Sequence, residues 1–404
     1  MHRLLLVLGC LASCGRVGFS PLGGAVDDAG GDGPGTDGAP GDVPTDVMLV
    51  ATGESRLTTA PGTSQLPAIV WTGTEAGIAW EDDRDGNVEI YFTRIDARGQ
   101  RIGSDVRVTN APGTSRTPSL VWTGVEYGIA WTDTRDLDEE IYFTRLAADG
   151  TKIGADTRIT NDLQPQTSPS LQWSGTEWLV AWDDQRTGSN VISAMRLAAN
   201  GLSVSALMPL TPGGATPSPD VMVTSTGYGL VYANGPTGTP EVFYMALDPT
   251  GARVGGVVQI SPTATAGGSY APSLARNGSE LVIAYHDDRS GTANIYVQRI
   301  DLAGTRIGTE TRVDVAPSST APAIASNGDG TTVCWYDFRN GSYDVFAARL
   351  DLQGTVVRTD VPVSTGGSYA SACKLVAPNP SIAIVAWTDD RNGGTEIYIR
   401  IVEL

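Results

Sequence analysis

Between residues 117 and 160 the chain alternates. "TPSLVWTG", "EYGIAWTD", "EEIYFTRLAADG" and "TKIGADTRIT" place large residues at every second position, with Asp, Gly and Asn clustered between them. This two-residue period predicts four short strands joined by tight turns, and no stretch here carries a helical period. The first strand is expected to open on its proline, where a missing N–H is tolerated.

The pattern then repeats. "AWEDDRDGNVEIYFTRI" begins at Ala79 and "AWTDTRDLDEEIYFTRL" at Ala130. Further copies begin at Ala181, Ala284, Cys334 and Ala386, and a worn one, "VYANGPTGTPEVFYMAL", begins at Val231. The aromatic anchors Trp80, Trp131, Trp182, Tyr232, Tyr285, Trp335 and Trp387 recur every 50 to 53 residues. Seven copies of four strands at that period predict an all-β fold, a seven-bladed β-propeller of four-stranded blades. The last copy stops at Leu404 after its third strand, while "ESRLTTAPGTS" at Glu54 matches the fourth strand and loop "DVRVTNAPGTS" at Asp105. An N-terminal strand is therefore expected to complete the last blade, close the ring and remove an open sheet edge. The propeller is assigned to residues 47–404.

Composition narrows the partners. The 404 residues carry a formal charge of -18, which argues against nucleic acid or an anionic membrane surface. Only Lys152 and Lys374 are lysines, so the positive charge is almost all arginine, which pairs bidentately with carboxylates. From Ala25 to Val47 the chain reads "AVDDAGGDGPGTDGAPGDVPTDV", too polar to bury a core. It is expected to be a disordered tether, roughly 30 Å in root-mean-square span.

The first residues, "MHRLLLVLGCLASCG", join a basic start to an apolar run too short to cross a bilayer. Leu11-Ala12-Ser13-Cys14 resembles the lipobox of bacterial lipoproteins. That resemblance implies a signal peptide at 1–13, acylation of Cys14 and, with Gly15 after the cysteine, a place at the outer membrane. Cleavage would leave a charge of about -19, and several acyl chains would hold firmly where one holds only marginally. Cys334 and Cys373 would then remain in an oxidising compartment, as a disulfide or as two buried thiols.

Six copies carry an Asp-x-Arg pair: Asp82/Arg84, Asp133/Arg135, Asp184/Arg186, Asp287/Arg289, Asp337/Arg339 and Asp389/Arg391. Asn234 and Pro236 stand in their place in the fourth copy. A group repeated round a ring is expected to be scaffold, because a substrate touches different groups on different sides. Here the aspartate would cap turn amides and the arginine would reach nearby carboxylates. The repeated tryptophans, and Tyr91, Tyr142, Tyr296 and Tyr398, are expected to pack between strands.

Little else offers chemistry. His286 is the one histidine beyond the signal, so a zinc site or a Ser-His-Asp triad has almost no material, and no G-x-S-x-G elbow is present. Asp83 to Asn87 with Glu89 partly resembles a calcium loop, but Arg84 occupies a ligand position. No metal or other cofactor is assigned beyond that calcium candidate. The Asp-box of bacterial sialidases, S-x-D-x-G-x-x-W, is absent. The repeat resembles the W-x-D-x-R propeller repeats of secreted bacterial lipoproteins over residues 54–404. More loosely, its "EIY" strand and turn are similar to TolB-type propellers. Neither resemblance carries a catalytic residue with it.

The expectation is a lipid-anchored envelope propeller, monomeric, that binds a protein or a glycan without catalysis. The alternative is a glycan-acting hydrolase or lyase. Loss of symmetry is where specificity arises, so the expected binding face surrounds the worn blade, with Arg186, Tyr232, Asn234, His286 and Arg289.

Overall fold

A computed structural model describes residues 51–404, except 237–238, 264–265, 317 and 367–368, together with residue 49 and the backbone of residues 15–17. The side chains of 215–217 are not described. Cys14, the signal peptide and the tether at 25–47 lie outside the described residues.

Seven antiparallel sheets of four strands form the ring, and no described residue is helical. Blade one runs Ser64–Trp71, Glu75–Asp82, Glu89–Asp96 and Arg101–Arg107, from the inside outward. The three-residue strand Gly15–Val17 falls within residues 14–46, the stretch assigned from sequence to the acylated cysteine and its tether, and pairs in parallel with Ile69–Trp71 on the inner edge of that sheet. Blade seven takes three strands from the C-terminal end, and its outer strand is Ser55–Arg56, paired with Tyr398 and Ile399. The ring is thus closed from the N-terminal side.

This closing segment supplies the same groups as every other outer strand. Arg107 bonds Glu89 at 2.9 Å and Thr109 bonds it at 2.5 Å in blade one; Arg56 and Thr58 meet Glu396 in blade seven. Glu54 bonds Arg391 just as Asp105 bonds Arg84. The match of "ESR" to "DVR" is therefore a match of ion pairs as well as of strands.

Packing between blades follows the alternation. Trp80 points back into blade seven, against Ile384, Ile397 and Ile399, while Ala79 and Phe92 face Leu120 and Tyr127 of blade two. All five tryptophan anchors are fully buried. Gly77 is required by close approach: a Cβ there would lie 2.6 Å from the Tyr127 ring of the next blade. Cys334 in blade six and Cys373 in blade seven form a disulfide, with Cα atoms 6.5 Å apart.

The inner strands differ from the expectation in one respect. Pro118 does not open its strand, which runs Ser115–Trp122; it lies at a bulge between Arg116 and Ser119. The preceding residue has positive φ in all six blades with a proline there, Leu66, Thr117, Ser168, Ser218, Ala271 and Ala321, and so does Ala372, which precedes Cys373 in blade seven. These are edge strands facing the ring axis, and a bulge removes the need for a ladder N–H at the proline.

The turn between second and third strands lies on the same face as the connection to the next blade. Asn87 in the first donates to the carbonyls of Ala111 and Gly113 in the second, at 3.1 and 2.7 Å. The closing strand enters from the opposite face, where Thr52 bonds Ile401.

Candidate functional site

The repeated Trp-x-Asp-x-Arg forms a closed clasp. In blade two, Asp133 ends the second strand fully buried and accepts from Trp131 Nε1 at 2.7 Å, Ser115 Oγ at 2.9 Å and the Arg135 amide at 2.9 Å. The Arg135 guanidinium bonds both Asp133 oxygens at 2.8 and 2.6 Å and reaches Asp156 on the outer strand at 3.1 Å. It also lies 4.2 Å from the Tyr142 ring centroid. Burial raises the Asp133 carboxyl, but the bonds from Arg135 and Trp131 outweigh it and hold the group below the usual range.

Blades one, six and seven repeat this geometry with Asp82/Arg84, Asp337/Arg339 and Asp389/Arg391. In blade five Asp287 holds Arg289, which also bonds Glu310 at 2.8 Å and stacks on Tyr296 at 4.5 Å. The groups of the calcium-like loop are likewise engaged separately. Asp83 caps the Thr63 amide, Asp85 meets Tyr91 and Arg107, and Glu89 holds Arg107 and Thr109. Among the described residues no cluster of three His, Cys, Asp or Glu side chains could hold a metal.

The residues expected around the worn blade do not gather into one surface. Tyr232 is buried and stacks on Phe243 with centroids 5.8 Å apart. Asn234 caps the Gly235 amide at 2.8 Å. His286 stacks on Tyr270, and its Nδ1 accepts from the Ala321 amide of blade six at 3.4 Å. Burial pushes its imidazole down to about 4, so it is neutral at physiological pH. Arg289 is closed in its clasp. Arg186 lacks the ring under its guanidinium: Ser193 stands where other blades carry a tyrosine or phenylalanine, and its described partners are Asp184 and Gln166.

Two departures from symmetry escaped the sequence reading. The first is Asp183, between Trp182 and Asp184. It is fully buried and neither oxygen has a hydrogen-bond partner; burial and the neighbouring Asp184 push its carboxyl up to about 7. Its equivalents are satisfied: Glu81 accepts from the Thr117 amide and Thr132 from the Ser168 amide.

The second is an aromatic cluster between blades six and seven. Tyr343 lies 5.6 Å from Tyr336, 5.1 Å from Phe338 and 4.9 Å from Tyr369 by ring centroid, all edge-to-face. Phe338 and Tyr369 are each 50% exposed. At the Phe338 position, Asp83, Thr134, Asp288 and Asp390 cap the amide of the adjoining loop in blades one, two, five and seven. A phenyl ring cannot do so. The signal available in sequence was an aromatic where the repeat has a capping side chain, but its convergence with Tyr369 crosses two blades.

The molecule is therefore a closed seven-bladed propeller, with its repeated ions paired in clasps and an aromatic patch on the loop face. No protein family profile matches the chain, and no curated protein does. Among solved structures it is similar to a protein of unknown function from Dyadobacter fermentans DSM 18053, at 12% identity over 89% of this chain and 100% of that one, with a TM-score of 0.53. It is also similar to the polysaccharide lyase Uly1, at 10% identity over 85% of this chain and 90% of that one, with a TM-score of 0.52. At these identities the likeness is one of fold.

Proposed function

We propose that this protein is an envelope lipoprotein whose propeller works as a non-catalytic binding module. Acylated Cys14 would hold it at the outer membrane, and the Asp/Gly/Pro-rich tether would carry the ring clear of the lipid. The observation that carries the binding reading is the pairing of the repeated Asp and Arg side chains inside their own blades. The exposed departure from symmetry is aromatic instead, which suits recognition more than proton transfer. The Cys334–Cys373 disulfide fits an oxidising compartment. Entry of the closing strand from the face opposite the aromatic patch suits display of that patch away from the anchor.

The test of binding is a glycan array probed with the full-length chain, with and without calcium, followed by a membrane pull-down for protein partners. Specific retention on either supports the module; silence in both overturns it. Cell fractionation of Cys14→Ser tests the anchor, and release of the variant into the soluble fraction is the expected outcome.

One observation favours the enzymatic alternative. Asp183 has the raised affinity for a proton that a general acid needs, and one solved structure of the same fold is a polysaccharide lyase. Its full burial leaves no path to a substrate, which ranks this reading second. Product formation from any polysaccharide, lost in Asp183→Asn, would reverse that order.

A further inference from the structure

The loop face between blades six and seven breaks the capping pattern that blades one, two, five and seven share. Phe338 follows Asp337 in the hairpin, Tyr343 precedes the third strand, and Tyr369 sits on the connection into blade seven. One turn of blade six and the connection into blade seven thus bring these rings together at the surface. A half-exposed Phe338 in place of a capping residue forgoes a hydrogen bond, and such local departures concentrate at functional sites.

The chemistry around the rings selects among ligands. Arg339 is closed by Asp337 and Asp360, and Arg391 by Asp389, Glu54 and the Thr365 carbonyl. Neither cation has a free face for an anion. The rim instead carries the exposed Asp390, which accepts from the Tyr369 amide at 2.8 Å, while Asp344 lies buried beneath the turn and accepts from Asn340 at 3.0 Å. With a formal charge of -18 on the whole chain, phosphate, sulfate and uronate are disfavoured. The loop amides are engaged as well: Ala370 bonds the Tyr343 carbonyl, Gly341 that of Phe338 and Gly393 that of Asp390. An added peptide strand therefore finds no ladder here.

Three tyrosines and a phenylalanine combine apolar ring faces with hydroxyl groups. Burial pushes the Tyr336 and Tyr369 hydroxyls above their usual range, so both stay protonated and able to donate. That mixture matches an uncharged pyranose, with apolar C–H faces and equatorial hydroxyls. The rings adjoin one another and two of them are half-exposed, an extended contact that suits a polymer chain more than a single buried sugar.

We propose that Phe338, Tyr343 and Tyr369, backed by Tyr336, form a binding site for a neutral polysaccharide. This rests on the binding-module reading and names its ligand class. The test is calorimetric titration of the full-length chain with neutral oligosaccharides (cello-, xylo- and manno-hexaose), with oligogalacturonate and a polyproline peptide alongside. Phe338→Ala and Tyr369→Ala are each expected to weaken binding of a neutral oligosaccharide about tenfold or more, the scale of a central contact. Leu163→Ser, at a residue 81% exposed on another blade, is expected to leave it unchanged.

The ring variants are compared at matched thermal stability, so that a fold defect is read separately. No binding by any neutral oligosaccharide, or stronger binding of oligogalacturonate, overturns the proposal. Binding of polyproline through the same rings makes the site a peptide site and overturns it too. Sugar binding that survives both substitutions overturns the proposal while the module reading stands. Sugar cleavage would instead overturn the module reading.

Discussion

Blades two and six carry the same hairpin on paper and use it differently. In both, an aspartate at the strand end holds the tryptophan Nε1 and the arginine, and the arginine reaches a carboxylate on the outer strand. One residue later they part. Thr134 turns inward and caps the Thr114 amide at 2.8 Å, while Phe338 turns out to meet Tyr343. Beneath that residue the geometry is common and serves the ring; above it the blade-six side chain is half-exposed to solvent. A propeller separates these demands because the clasp is buried and the turn is not.

The most disruptive way to probe this comparison is to open the clasps. Asp133→Ala and Asp337→Ala are each expected to cost about 3 kcal/mol, because both leave a buried indole N–H unpaired and a half-buried arginine with only its outer-strand carboxylate. Denaturant unfolding measures it. Unequal losses would show that the two clasps are not equivalent.

Blade three sharpens the comparison, since its Asp183 is buried without any clasp. Its carboxyl binds a proton up to about pH 7 when folded and only near 3.8 when free. The unfolded chain therefore loses that proton first. Stability contributed by this group is complete below pH 4, falls as pH rises from 4 to 7, and stays low above. Each unit of the shift is worth about 1.4 kcal/mol. Asp183→Asn is expected to flatten that slope in thermal melts between pH 4 and 8, and an unchanged slope would show that the carboxyl is hydrated or paired.

A smaller effect concerns the turns. Leu137 has φ of 86° where blade six has Gly341 at 83°. The left-handed conformation costs a side chain roughly 1–2 kcal/mol, so Leu137→Gly is expected to raise stability by about 1 kcal/mol. The smallest effect belongs to the aromatic patch itself. Phe338→Thr is expected to change unfolding by less than about 0.5 kcal/mol, as exposed positions do. A large loss there would make the cluster part of the scaffold.

Much of this was legible in sequence. Alternation and a fixed repeat are local properties, and the recurring Trp-x-Asp-x-Arg carried its own explanation as scaffold. Prolines were harder: Pro118 reads as a strand opener, but only an edge facing the ring axis makes a mid-strand bulge tolerable. The candidate site was harder still. The worn fourth blade drew attention because it lost its Asp-x-Arg, yet Tyr232 packs in the core and His286 accepts an amide from the next blade. Loss of a motif is visible along the chain, whereas gain of a surface depends on neighbours.

Sequence alone determined the blade, the number of blades and the ring closure, because strand period, turn residues and the matching ends "ESR" and "DVR" are written in contiguous residues. It also determined which ions repeat. Only the tertiary structure decided what those ions and rings meet. Phe338 and Tyr369 are 31 positions apart and share a patch because two blades set their loops side by side. Cys334 reaches Cys373, and Asp183 lies buried without a partner, for the same reason. Burial and contact are set by packing between blades, and no single repeat contains that information.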